Sequence, residues 1–194
     1  MNITPDEIKK LRDQTGAGMM DAKKALQESA SFQDAVVYLR KKGHASLAKK
    51  AERSAKEGII TSYIHAGDKV GVLLELNCET DFVARNQEFK ELGNEIALHI
   101  AAASPLYVSR EEVPANAIDN EKQIYAEQIK DKPANMQEQI MAGKLEKYYE
   151  QVCLLDQPYV REPDKKVKDL VAEKVGKLGE NIQVRRFVRF VLGV

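Results

Sequence analysis

Few side chains in this sequence of 194 residues could act as nucleophiles or metal ligands. The two cysteines, Cys78 and Cys153, form no CxxC pair, and Cys78 precedes an acidic residue rather than a base that would lower its pKa. The histidines lie far apart, without neighbours at metal-ligand spacing: His44, His65 and His99. We therefore expect reduced structural thiols, a partly buried His99 and no cofactor. A thiol enzyme built on Cys78 is the alternative.

The sequence also lacks the glycine-rich motifs with which nucleotide enzymes bind phosphate. Neither GxxxxGK[ST] nor GxGxxG occurs, and the glycines of "GAGMMDAKK" (16–24) have the wrong spacing to the lysines. That stretch is typical of a loop between two helices. Paired carboxylates at 6–7 and 111–112 fall at predicted helix starts, where the helix dipole favours them. These observations argue against an enzyme.

Charge is balanced over the whole chain but uneven along it. Lys+Arg and Asp+Glu are equal at 30 each, which does not indicate an electrostatic nucleic-acid binder. The range 40–56 is basic, with Glu52 as its single acid, and contains no aromatic residue on which a base could stack. We interpret it as a solvated helix face and expect no nucleic-acid partner. An RNA- or peptide-binding module is the alternative.

Two short apolar stretches are candidates for partner contacts. Met19 and Met20 open a predicted helix directly after the Gly-rich loop, where methionines form an adaptable docking surface or fill a small core. In "NCETDFVARN" (77–86), Phe82 lies seven residues before Phe89 and would share its buried stripe if one helix began at Thr80. If Asn86 is the N-cap instead, "TDFVAR" projects from the surface. Periodicity alone favours burial of Phe82.

The elements that position these residues begin with a three-helix module over 1–53, followed by a basic linker to about 57. "TPDE" predicts a capping box between Thr4 and Glu7. The first helix ends in the loop 15–18, a second spans about 19–28, and a third starts near Ser31 and stops at Gly43. Three short helices of this length make a bundle that is marginal in size by itself.

The remainder, 58–194, predicts an α+β core. Two alternating segments around "AGD" predict a hairpin over 58–78, and a long helix follows at about 86–103. A polar helical segment covers 107–150, broken by Pro114 and Pro133. A further helix precedes a final strand at 181–192. Its alternation places apolar residues on one face and Arg185 and Arg189 on the other; the apolar residues are Ile182, Val184, Val188 and Phe190. These segments predict a three-stranded antiparallel sheet with helices packed on one side.

The N-terminus is polar and carries no secretory signal, and no apolar run approaches the length of a membrane-spanning helix. We therefore expect a cytoplasmic protein without a membrane partner.

Two stretches together resemble the signature regions of the elongation factor Ts family: "LRDQTGAGMMDAKKAL" (11–26) and "ELNCETDFVAR" (75–85). "VCLLDQPYVREPDKKV" (152–167) and "GENIQVRRFVRF" (179–190) also resemble its C-terminal part. The resemblance implies a ubiquitin-associated-like helical module, an α+β core, and guanine-nucleotide exchange on elongation factor Tu during translation. The chain lacks the second core subdomain and coiled-coil insertion of the longer members. It is similar to the short members, which implies a homodimer as a second partner.

By position, the resemblance implies two sets of partner-binding residues. Asp81 and Phe82 match residues that push between helices of the GTPase near its magnesium site, and Thr80 and Val83 complete that motif. The N-terminal module would grip the nucleotide domain of the GTPase through Leu11, Met19 and Met20. On this basis Phe82 becomes an exposed wedge rather than a core residue, and Asn86 becomes the better candidate for the helix cap.

Overall fold

A computed structural model of the protein describes residues 3–15 and 17–193, with only the backbone described for 40–49. Within those ranges the strands are β1 Glu57–Ile64, β2 Val70–Cys78, β3 Pro158–Tyr159, β4 Glu162–Lys166 and β5 Gln183–Val191. The helices are α1 Pro5–Thr15, α2 Met19–Glu28, α3 Phe32–Ala51, α4 Asp81–Arg85, α5 Gln87–Ala103, α6 Ala115–Ile129, α7 Ala134–Val152 and α8 Val167–Leu178. The predicted α+β class is confirmed.

Side-chain caps fix the starts of the first and third N-terminal helices. Glu7 accepts a hydrogen bond from the Thr4 backbone N–H at 2.9 Å, and Thr4 Oγ1 accepts one from the Glu7 N–H at 3.3 Å. This is the predicted capping box. Ser31 caps α3 by accepting from the Asp34 N–H at 3.1 Å. The helices enclose one small core, formed by Leu11, Ala22, Ala25, Ala35, Val36 and Leu39.

The predicted end of the third helix at Gly43 is wrong, because α3 continues to Ala51. A glycine inside a helix costs about 1 kcal/mol relative to alanine. The residues that follow, "HASLAKKA", are rich in alanine and lysine, which are strong helix formers, and they offset that cost. The predicted loop at 15–18 includes Gly16, which lies outside the described residues.

Strands β1 and β2 form the predicted hairpin, and β5 pairs with β2, so the antiparallel sheet has the order β1-β2-β5. The turn contains Gly67 with φ +93° and Asp68 with φ +57°, a left-handed pair that suits glycine and aspartate. On β2, the side chains of Val72, Leu74 and Leu76 are buried, as their alternation predicts.

Helix α5 covers one face of this sheet. Thr61 on β1 donates to Asn94 Oδ1 at 2.9 Å, and the Arg189 guanidinium on β5 donates to the Ala101 carbonyl at 3.1 Å. Val188 and Phe190 therefore point away from α5 and share one face of the strand, opposite Arg189, as the alternation predicts. They are 41% and 64% exposed. The opposite face of the sheet, here called the outer sheet face, presents large exposed side chains: Ile60, Ile64, Leu73, Val188, Phe190 and Leu192.

The polar middle of the chain is a helical hairpin. Pro114 and Pro133 immediately precede α6 and α7, where the missing N–H of proline breaks no hydrogen bond within the helix. The short β3–β4 pair was not predicted, because its sequence is charged and contains two prolines.

His99 on α5 is completely buried, with Nε2 2.9 Å from Gln157 Oε1 and Nδ1 accepting from the Val160 N–H. Burial lowers the pKa of His99 and favours the neutral ring.

The chain divides into two compact units that do not follow chain order. The first comprises Met1–Ile59, Asn77–Lys90 and Val171–Gln183, and the second comprises Ile60–Leu76, Glu91–Leu170 and Val184–Val194. The three-helix module and the 77–90 stretch therefore belong to the same unit. Of the helices described, none has the length and apolarity needed to cross a bilayer.

Candidate functional site

The stretch after β2 folds into α4, a helix of five residues that presents Phe82 to solvent. Thr80 is the N-cap, with extended backbone angles, and its Oγ1 lies 3.5 Å from the Val83 N–H. The Phe82 side chain is 82% exposed, the largest exposed fraction among the large apolar residues described. Burial of Phe82, which periodicity alone favours, is therefore wrong.

The physical reason is a break in the helix at Asn86. Asn86 has an extended backbone, and its Oδ1 accepts from the Glu88 N–H at 2.8 Å, so it begins α5 as predicted. Phe89 is completely buried on α5. Because α4 and α5 are separate helices, the seven-residue spacing from Phe82 to Phe89 carries no common face.

The remaining residues of this motif surround Phe82 with polar and small groups. Asp81 forms an ion pair with Arg85 at 3.0 Å, one helical turn away. Both side chains are largely exposed, so this pair contributes only about 0.3–0.5 kcal/mol. Ala84 is buried beneath the turn and Val83 is half-buried. Val83 therefore sits closer to the anchored side of α4 than Phe82 does.

Two acidic side chains from distant parts of the chain hold the entry to α4. The Glu180 carboxylate accepts from the backbone N–H groups of Glu79 at 3.1 Å and Thr80 at 3.0 Å, and from the Thr80 hydroxyl at 2.6 Å. Glu79 Oε1 in turn accepts from the Asn181 N–H at 2.6 Å. We call this reciprocal arrangement of Glu79, Thr80, Glu180 and Asn181 the carboxylate clamp.

The clamp also holds the chain that leaves the three-helix module. The Asn181 side-chain amide donates to the Arg53 carbonyl at 2.7 Å, and the Arg53 guanidinium lies 3.5 Å from Glu79 Oε1. Sequence reasoning missed Glu180 and Asn181. The only local signal is "GEN" after a helix, which marks a helix end but does not identify the backbone that the carboxylate reaches.

The exit from α4 is held by α8. Glu88, in the first turn of α5, pairs with Lys177 at 2.7 Å and Lys174 at 3.3 Å. The hydrogen bond from Lys177, and then that from Lys174, lower the pKa of Glu88. Lys174 and Lys177 of α8 therefore hold the chain after Phe82. Glu180 and Asn181, which follow α8, hold the chain before it.

The second predicted set, Leu11, Met19 and Met20, lies in the three-helix module. Its methionines are exposed, whereas its leucine is buried. Met19 and Met20 begin α2 and are 51% and 75% exposed, so they form an accessible apolar surface. They do not fill the small core. Leu11 is completely buried in that core and offers no surface in the free chain. In this position the Leu11 side chain packs α1 against α2 and α3 and is not available for contact with a partner in the free chain.

Cys78 has the environment of a structural thiol. It is completely buried at the end of β2, and its Sγ lies 3.1 Å from the Thr80 carbonyl. Burial, reinforced by the charge of Glu180, raises the pKa of Cys78 to about 11, opposite to what a nucleophile requires. Among the residues the structure describes, no group of three or more histidine, cysteine or acidic side chains is arranged to hold a metal.

The basic range 40–56 is described only in part. The side chains of Arg40, Lys41, Lys42 and Lys49 lie outside the described residues. Lys50 donates to the Val175 carbonyl at 3.2 Å, and Arg53 is engaged with Glu79. These two cations therefore have partners within the chain.

Comparisons with known proteins all match this chain to one family. A family described as "Elongation factor TS" matches residues 6–194. A protein named "Elongation factor Ts" from Thermodesulfovibrio yellowstonii is 60% identical over 195 residues, covering 100% of this chain and 98% of the relative. Relatives with the same name from Thermotoga petrophila and Fervidobacterium nodosum are 58% and 56% identical. They cover all of this chain, and the alignments take in 98% and 100% of the relatives.

Proposed function

The chain belongs to the elongation factor Ts family of translation elongation factors, and from that premise we propose that it is a guanine-nucleotide exchange factor. It binds elongation factor Tu–GDP and promotes GDP release, so that GTP can rebind. It makes no covalent bond and acts in the cytoplasm, where thiols such as Cys78 stay reduced. The observation that carries this proposal is Phe82, 82% exposed on a turn that is held on both sides.

The physical requirement of exchange explains why such a side chain is needed. A factor that weakens GDP binding must itself be weakened equally by GDP, because the coupling is reciprocal. Each tenfold of weakening requires ~1.4 kcal/mol of differential contact. Magnesium and the phosphate-binding loop provide much of the grip on a nucleotide in GTPases. A rigid aromatic wedge that displaces a helix near the magnesium site loosens that grip without touching the base.

The proposed partner-binding residues form two groups, the wedge and a second contact surface. Phe82 enters the GTPase, Asp81 offers a carboxylate that disturbs the polar network there, and Thr80 and Val83 hold the turn. Met19 and Met20 bind the nucleotide domain at a second place. Leu11 enters the proposal as a residue of the small core against which α2 packs.

Mixing the protein with elongation factor Tu loaded with fluorescent GDP tests the proposal. We expect the two proteins to co-elute on size exclusion without nucleotide, and excess GDP to separate them again, as reciprocity demands. If Tu kept its GDP at the intrinsic dissociation rate in the presence of excess factor, the proposal would fail.

We also propose that the chain forms a homodimer through the outer sheet face. This face carries six exposed apolar side chains, four of which line one groove: Ile64, Leu73, Phe190 and Leu192. Its charges balance in sign: Arg186 pairs with Glu75 at 2.6 Å, and the groove lining contains one acid, Asp68, and one base, Lys69. Two copies related by a two-fold axis can therefore meet without like-charge repulsion. An apolar face of this kind marks an interaction surface.

Phe190→Asp should convert the dimer into a monomer, because it places a charge where apolar groups would be buried. Sedimentation at micromolar concentration measures the change. The matched control is Ile124→Asp, since Ile124 is 51% exposed on α6 and does not line the groove. A native chain that sediments as a monomer at these concentrations would refute the dimer and leave the outer sheet face as a surface for the GTPase.

A further inference from the structure

The turn that carries Phe82 is too short to be stable by itself. Forming a first helical turn is unfavourable, and isolated helices shorter than about 12 residues are marginal in water. Helix α4 has five residues, of which Ala84 is buried. Its one internal ion pair, Asp81–Arg85, is solvent-exposed. The conformation of this turn must therefore depend on contacts from elsewhere in the chain.

Glu180 provides the most convergent of those contacts. One carboxylate oxygen accepts two consecutive backbone N–H groups, from Glu79 and Thr80, and the other accepts the Thr80 hydroxyl. Hydrogen bonds to an ionised acceptor are about twice as strong as neutral ones. With its single proton directed at Glu180, the Thr80 hydroxyl keeps its lone pairs for the Val83 N–H. Glu180 thus orients the group that caps α4.

Contacts with the preceding helix do not explain the location of Glu180. Helix α8 ends at Leu178, and Gly179 follows with φ +83°, its N–H bonded to the Val175 carbonyl at 3.1 Å. This is the glycine C-cap that turns the chain away from the helix axis. A carboxylate just beyond a helix C-terminus faces the negative end of the dipole, which is unfavourable. The three hydrogen bonds to 79–80 offset that cost.

We propose that Glu180 is a positioning residue for the exchange wedge: by holding the backbone and hydroxyl of Thr80 it fixes the direction in which α4 presents Phe82. The inference rests on the proposed function. Glu180 itself need not touch the GTPase. Its effect is transmitted through Thr80 to the cap of α4, and from there to the backbone of Phe82.

A double-mutant cycle in the GDP-release assay separates positioning from a general structural role. Glu180→Ala should slow GDP release roughly tenfold in the native background, equivalent to ~1.4 kcal/mol of coupling. In a Phe82→Ala background it should cause no further slowing, because there is no wedge left to position. Glu138→Ala is the control, since Glu138 is an exposed carboxylate on α7. Its exchange rate should equal that of the native chain.

Glu180→Gln should restore most of the rate lost in Glu180→Ala. Its amide oxygen can still accept both backbone N–H groups, and Thr80 can accept from the amide nitrogen. This variant also keeps the cycle informative if Glu180→Ala does not fold. Additive effects of Glu180→Ala and Phe82→Ala, or a native rate in Glu180→Ala, would overturn the inference.

A readout on the free protein distinguishes failure of the inference from failure of the proposed function. The chain contains no tryptophan, so Phe82→Trp introduces a single fluorophore at the wedge. Adding Glu180→Ala should increase the fast depolarisation of that tryptophan, whereas adding Glu138→Ala should not. If Phe82→Ala exchanges GDP at the native rate, the exchange role fails. An unchanged tryptophan mobility in the Glu180→Ala background contradicts the positioning role, whatever the exchange rate.

Discussion

Replacing Phe82 by alanine should slow GDP release from elongation factor Tu by roughly ten- to hundredfold. A ring that passes from solvent into a well-packed site contributes about 1.5–3 kcal/mol, and each 1.4 kcal/mol corresponds to a factor of ten. The loss should appear in the rate at which saturating factor releases nucleotide, because we propose that the wedge acts on the GDP-bound GTPase. Stopped-flow fluorescence with labelled GDP measures that rate directly.

The same substitution should leave the melting temperature of the free protein almost unchanged. A buried phenylalanine costs about 3–5 kcal/mol when truncated, but Phe82 is 82% exposed and supports no core. Leu106→Ala is a suitable control, since Leu106 is 67% exposed and lies outside both predicted sets. A folded Phe82→Ala protein with native exchange would exclude the wedge, and a large fall in melting temperature would contradict the exposure of the ring.

Replacing both Met19 and Met20 by aspartate should weaken the complex with elongation factor Tu by more than about a hundredfold. The two side chains are exposed in the free chain and would lose their apolar contacts with the partner, at about 1.5–3 kcal/mol for each fully buried methionine. Burying an unpaired carboxylate at the interface adds a further cost. Isothermal titration calorimetry against nucleotide-free Tu measures the loss.

The module itself should fold normally in this variant. Both positions lie in the first turn of α2, where acidic residues interact favourably with the helix dipole and where Asp21 already stands. Met136→Asp is the matched control, because Met136 is 47% exposed on α7. Affinity equal to that of the native protein would mean that these methionines do not contact the GTPase.

The sequence predicted the elements whose signals are local. The capping box of Thr4 and Glu7, the two turn residues between β1 and β2, and the prolines before α6 and α7 each specify a boundary within a few residues. Gly43 misled the prediction, because the propensity of the helix formers after it outweighs one unfavourable residue.

The orientation of Phe82 could not be derived from periodicity, since it depends on whether one helix or two cover 80–103. The sequence around Asn86 is compatible with one helix or with two. The extended backbone of Asn86 in the structure shows that there are two. The resemblance to a family indicated exposure, and the structure confirms it. The carboxylate clamp could not be predicted at all, because Glu180 finds its backbone partners about a hundred residues away, at separations that no local pattern reports.

That separation has a consequence for how the protein is made. Contacts between residues distant in sequence close large loops and form late in folding. The entry to α4 is bonded to residues 100–102 positions further on, in the last segment of the chain. A growing polypeptide can fold its three-helix module early, but it cannot fix Phe82 until Glu180 has been synthesised. The turn that we propose to act on the GTPase is therefore among the parts of this fold that are completed late.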